Sequence, residues 1–285
     1  AIDVGITATV NLVAAVTVAG TMILESSGPG AGNLKLDTTT SNHPITVGDL
    51  RIEALTELVG NASVITLTST VIGAQLFQNA GTFTQGTSEV KVTSSSGTPR
   101  FLNGATTFHK LTINAPSATV INMGSAVTIN DVANAALTIT AGVFNVDAAN
   151  ITGPGVTNGV FTIGSTGTLC LGGTTNSTTA TCDSGVTQTA ARDLPGFPTA
   201  TGYVFNTTST VRYLADVAAG LTVSSIPTYG NLYLLPKITA AQTWTLGTGA
   251  LIVNGDFSIQ PTASAASQSL LVNMGANITV ASGKT

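Results

Sequence analysis

Thr87-Ser88-Glu89-Val90-Lys91-Val92 returns later in the chain as Thr208-Ser209-Thr210-Val211-Arg212-Tyr213. Twenty residues after Thr87 comes Thr107-Phe108-His109-Lys110-Leu111-Thr112-Ile113, and twenty after Thr208 comes Thr228-Tyr229-Gly230-Asn231-Leu232-Tyr233-Leu234. Farther on, Met123-Gly124-Ser125-Ala126-Val127-Thr128-Ile129-Asn130-Asp131 is answered by Leu246-Gly247-Thr248-Gly249-Ala250-Leu251-Ile252-Val253-Asn254-Gly255-Asp256, with a small insertion. A weaker third copy begins at Gly32-Asn33-Leu34-Lys35-Leu36 and continues at Ile45-Thr46-Val47-Gly48-Asp49-Leu50-Arg51-Ile52. Apolar and polar residues alternate in each unit, the period of a strand whose successive side chains point to opposite faces. Short alternating repeats build extended, modular architecture and do not by themselves make an active site.

Composition points the same way. Charged residues make up 8% of the 285, against roughly 25% in an ordinary soluble domain. Fifty residues are threonine and 43% are hydrophobic. Threonine and valine favour strands because a side chain branched at Cβ fits the pleated surface and is stiff in a helix. Helix-surface residues (Lys, Glu, Gln, Arg) are scarce, which excludes a helical protein. Few surface charges leave sheets poorly protected against self-association, so the composition suits a subunit covered by its neighbours. With net charge −4, pI near 4.9 and no basic cluster, the chain lacks the footprint of a nucleic-acid or anionic-membrane binder. The apolar run from Ile6 to Leu24 holds Thr7, Thr9, Asn11, Thr17 and Thr21 and alternates, so it reads as strand and gives no membrane span.

Strand-like runs recur every eight to ten residues between Gly, Asn, Asp or Pro, as in Val64 to Thr70, His109 to Asn114 and Asn231 to Leu235. This predicts an all-β fold, either a β-solenoid-like stack of short strands or one or two antiparallel β-sandwich domains. The twenty-residue spacing is near one solenoid coil and two-residue hairpin signals are few, which favours the solenoid. The expected organisation is an N-terminal strand and Gly-rich linker (1–32), a first repeat region (33–171), a disulfide loop with a Pro-rich break (172–201) and a second repeat region (202–285). Opening on Ala1 suits a mature product of signal-peptide cleavage, and stopping in mid-pattern at Thr285 suits part of a longer protein.

Cys170 and Cys182 bracket a charge-free, turn-rich stretch that has little chance of packing itself. A disulfide closing so short a loop is worth about 3 kcal/mol in the chain-entropy model and implies an oxidising compartment. Five Asn-x-Ser/Thr sequons occur, and Asn176 in the Cys loop and Asn206 beside the break are the candidate glycosylation sites. No metal, cofactor or catalytic set is expected: His43 and His109 lack a cysteine pair or an Asp-x-Asp loop, and no Gly-x-Ser-x-Gly elbow is present. His109 reads as an exposed strand residue. Glu53 and Glu57, four apart, would share one face of a strand, a spacing open to glycosidase chemistry but better read as a solvated edge.

Thr106-Thr107-Phe108-His109-Lys110-Leu111-Thr112-Ile113-Asn114, then Val127-Thr128-Ile129 and Leu137-Thr138-Ile139-Thr140-Ala141-Gly142, resemble the Thr/Gly/Asn-rich repeats of bacterial cell-surface proteins of the adhesin and envelope type. Gly81 to Val90 resembles the run that opens such repeats. The likeness covers residues 80–165 well and 205–280 loosely, and it implies a surface β-repeat class without a named activity.

Ile6, Ala8, Val10 and Leu12 form one face of an alternating strand tethered by Ser26 to Gly32, the arrangement needed to donate a strand to a neighbouring subunit. The simpler reading makes it the first strand of its own fold. The chain is therefore expected to be a secreted, non-enzymatic structural protein whose partners are copies of itself, forming a filament, sheath or lattice. The alternative is a stalk or adhesin module of a larger surface protein, with surface glycans as partners.

Overall fold

The computed structural model describes residues 8–26, 33–71, 73–95, 100–116, 118–147, 149–155, 157–183, 192–198, 201–215, 221–238, 242–260, 262–263, 270–274 and 277–284. The chain is all-β, a solenoid of about nine turns in which the strand pairings are parallel. Among the described residues no helix is long and apolar enough to cross a membrane.

Three faces wind round a single core. The first carries Val64–Leu67, Glu89–Val92, Lys110–Asn114, Tyr203–Phe205 and the leading halves of four longer strands, Val16–Leu24, Ile45–Ile52, Ala136–Val146 and Val160–Leu171. The trailing halves of those four run on into the second face with Gln75–Asn79, Arg100–Asn103, Val120–Asn122, Thr210–Ala215 and Asn231–Ile238. The register slips between Val18 and Thr21 and between Ile139 and Ala141, where these strands pass from one face to the next. The third face begins with Ala8–Asn11, Leu34–Asp37, Thr56–Val59 and Thr82–Thr84.

One coil takes from 20 residues (Ile45 beside Ile65) to 29 (Val16 beside Ile45). The step jumps to 42 where Thr168 lies beside Thr210, because the chain leaves the stack after Leu171 and rejoins it at Tyr203. The second face runs through this break without interruption, so the Cys loop and Pro-rich segment are a lateral excursion from a continuous solenoid.

The excursion also shifts the repeat by one face. Glu89–Val92 belongs to the first face, whereas its echo Thr210–Tyr213 stacks on Thr168–Leu171 in the second. The repeated unit is thus a corner followed by a strand, and it serves more than one edge of the coil.

Alternation fills the core. Ile45, Ile65, Val90, Leu111, Leu137 and Phe161 stack inward along the first face, all buried. Phe77, Phe83, Phe101 and Phe108 form a ladder of rings with centroids 5.3 to 6.4 Å apart, in the range of favourable edge-to-face contact. Farther along, Phe161 meets Phe205 at 5.1 Å and Phe197 at 5.7 Å. Phe197 belongs to the excursion, and the Tyr203 hydroxyl fixes it by donating to Pro195 O (2.7 Å) and accepting from the Phe197 amide (3.0 Å).

Five of the corners entering the first face use a left-handed residue, Asn42, Asn61, Gly86, Asn134 or Gly159. Asparagine tolerates that conformation better than most residues, and its amide bonds locally. Asn61 Nδ2 donates to Asp37 Oδ1 at 3.0 Å and to Thr39 Oγ1 at 2.9 Å. The Thr39 hydroxyl, with the Thr39 amide, the Lys35 ammonium and Asn61, holds the Asp37 carboxyl down to about 2 against the upward push of burial. An unfolded aspartate titrates near 4. The stabilisation is therefore fully present above about pH 4 and is lost as pH falls through 2. Thermal melts from pH 5 to pH 2 should show a steeper fall for the native protein than for Asp37→Asn; parallel curves would refute this role.

Candidate functional site

The densest polar construction lies on the outside of the second face, beneath the excursion. Asn122, Asn145 and Asp147 point outward from their strands yet are fully buried. The loop after Leu171 covers them by folding back across the preceding coils. Asn122 Nδ2 donates to Ser177 O at 3.1 Å, and Asn145 Nδ2 donates to Thr174 O at 2.9 Å and to Asn122 Oδ1 at 2.8 Å. Gly173 sits directly over Asn145, where a Cβ would lie 2.3 Å from Oδ1. No side chain fits there.

Asp147 anchors the far side. Its Oδ1 accepts from the Gly124 amide and its Oδ2 from the Asn176 amide, both at 3.1 Å. Arg100 Nη2 lies 3.6 Å from Oδ2, Arg100 Nε donates to Asn176 Oδ1 at 2.6 Å, and Arg192 Nη2 donates to the Asp147 carbonyl at 3.2 Å. The charge is thus taken out of water with its lone pairs met, the condition under which a buried ion pair is tolerated.

Cys170 and Cys182 are joined as a disulfide, both ends buried. They pack with Val120, Val143 and Leu214 in a small apolar cluster outside the main core. The loop is therefore held by a covalent bond at its root, side-chain amides along its length and, at its tip, hydrogen bonds of Asn176 to Asp147 and Arg100. The Asn122 and Asn145 amide groups and both Asp147 oxygens are engaged in holding the loop, so the cluster acts as a clamp.

The other predicted positions are dispersed. Asn176 lies at the clamp's tip, with its Oδ1 already bonded to Arg100. Asn206 is exposed in a turn where its Oδ1 accepts from the Thr208 amide and hydroxyl, each at 3.0 Å. Ala8 and Val10 lie in Ala8–Asn11, paired in parallel with Leu34–Asp37 of the same chain, and Val10 and Leu12 pack against the core. Ile6 and linker residues 27–32 lie outside the described residues.

Two expectations are corrected. His109 is buried, because the alternation resets at the corner after Phe108 and successive residues are both covered. Its Nδ1 is 3.3 Å from Asn130 Oδ1, and burial pushes its pKa down, which favours the neutral ring. Glu53 and Glu57 do not share a strand face, because a turn through Leu55 (φ 63°) separates them. Glu53 pairs with Arg51, and Glu57 accepts from the Thr84 hydroxyl at 2.6 Å. Among the described residues no three His, Cys, Asp or Glu side chains gather as a metal site.

Sequence reasoning missed the clamp because buried amides and a lone aspartate resemble surface residues. The available signal was the run Phe144-Asn145-Val146-Asp147, whose polar positions sit opposite a loop stapled by cysteines. Comparison with family models, curated proteins and solved structures finds no match for this chain.

Proposed function

We propose that the protein is a secreted, non-catalytic structural protein that assembles with copies of itself into an extracellular filament, sheath or surface lattice. The observation that carries this reading is the solenoid's outer surface, strands of Thr, Val and Ala with very few charges. Such a surface loses little on being covered by another of the same kind. The disulfide weakly suggests an oxidising environment, in keeping with life outside the cytosol. Regular fibres or sheets of uniform width in negative-stain micrographs of purified native material are the expected outcome. Dispersed single rods at all concentrations would overturn the reading.

One feature favours the alternative of a glycan-binding stalk. Arg51, Glu53, Gln78, Asn79 and Asn103 line a groove of about 350 Å³ across adjacent coils, offering the mixed donors and acceptors that sugar hydroxyls require. A rod that stays monomeric and binds a glycan array would favour it.

A further inference from the structure

The excursion covers part of the second face, while the first face stays open. Two outward columns run along that face. One is Thr17, Thr46, Thr66, Lys91, Thr112, Thr138 and Thr162, each the register neighbour of the next. The other is Val64, Glu89, Lys110, Ala136 and Val160, likewise in register. The residues flanking Thr46, Thr66, Thr112, Thr138 and Thr162 point inward and form the core, so these columns are the solvent side, with Val64 38% and Val160 37% exposed.

Four members of the second column form complementary pairs about its charged middle. Outward from its middle come Glu89 then Val64 on one side, and Lys110 then Ala136 on the other. A two-fold axis lying in the face, along the strands and between Glu89 and Lys110, would set each carboxylate against the other copy's ammonium. The same operation sets Val64 against Ala136, Thr66 against Thr138, Thr46 against Thr162 and Lys91 against Thr112. We infer that the first face is an isologous, antiparallel docking surface for a second copy of this chain, an inference that rests on the self-assembling function proposed above.

The physics suits such a contact. Two-fold interfaces require a self-complementary patch, and opposite charges across it fix register more than they add affinity. Threonine and valine are stiff at χ1, so ordering them costs little. Seven coils at about 4.8 Å by five residues at about 3.3 Å make roughly 500 Å² on each copy, the low end for specific interfaces. The pairing is therefore weak and reversible in isolation, and strengthened when many copies are held together.

The test uses the full chain in sedimentation velocity over a concentration series, with folding of every variant checked by circular dichroism. Glu89→Lys should weaken association at least tenfold by leaving the seam all cationic. Adding Lys110→Glu should restore it, because the two-fold then pairs the swapped charges. T66C mixed with T138C should cross-link under mild oxidation, whereas T66C alone should not, since its own symmetry mates lie about three coils, or 14 Å, apart. Association unaffected by E89K, together with no T66C–T138C cross-link, would overturn this face while leaving self-assembly intact. A wild-type chain monomeric at every concentration would overturn both.

Discussion

Asp147→Ala is expected to destabilise the protein by about 3–5 kcal/mol, the cost of removing a buried, hydrogen-bonded carboxylate from beside its cation. The carboxylate is fully buried and accepts from the amides of Gly124 and Asn176 as well as facing Arg100. Alanine would leave two amides without an acceptor and the half-buried Arg100 guanidinium without its counter-charge, and unmade bonds cost more than made ones gain. Asp147→Asn keeps an acceptor oxygen and should lose less. Denaturant unfolding of the purified variants measures both. A loss below about 1 kcal/mol for the alanine variant, within reach of a single neutral hydrogen bond, would show that the loop is held without Asp147.

Replacing both cysteines by alanine should cost about 3 kcal/mol, the loop-closure entropy of a short cross-linked segment. Reduction of the native protein should reproduce the effect. Limited proteolysis would then cut within 172–183 while the stacked strands stay resistant, because the coils contact one another independently of the loop. Equal melting temperatures with and without reductant would refute the role. The two effects should not sum, since Asp147 and the disulfide hold the same segment and neighbouring sites couple.

Much of the architecture was legible because alternation is a local property. The pattern Leu111-Thr112-Ile113 declares which side chains enter a core, and the twenty-residue return declares that cores stack. Corners were harder. At Phe108-His109 the alternation resets, and only a chain known to turn there would bury both residues. Long-range placement was not legible at all. Nothing near Asn122 states that Ser177 will cover it, and nothing in Thr208 to Tyr213 states that its strand occupies a different face from Thr87 to Val92. Those facts depend on the length and packing of an excursion whose own sequence is irregular.

The backward-folded loop alters how the solenoid responds to disturbance. A stack held by nearest-neighbour contacts alone comes apart one layer at a time from its ends, like a column of coins. The loop touches Asn122, Asn145 and Asp147 from a root at Cys170, so it spans three successive layers with one length of chain. Layers bound in that way must yield together. The middle of the rod then behaves as a rivet, confining fraying to the two arms and carrying a pulling force past any single interlayer contact.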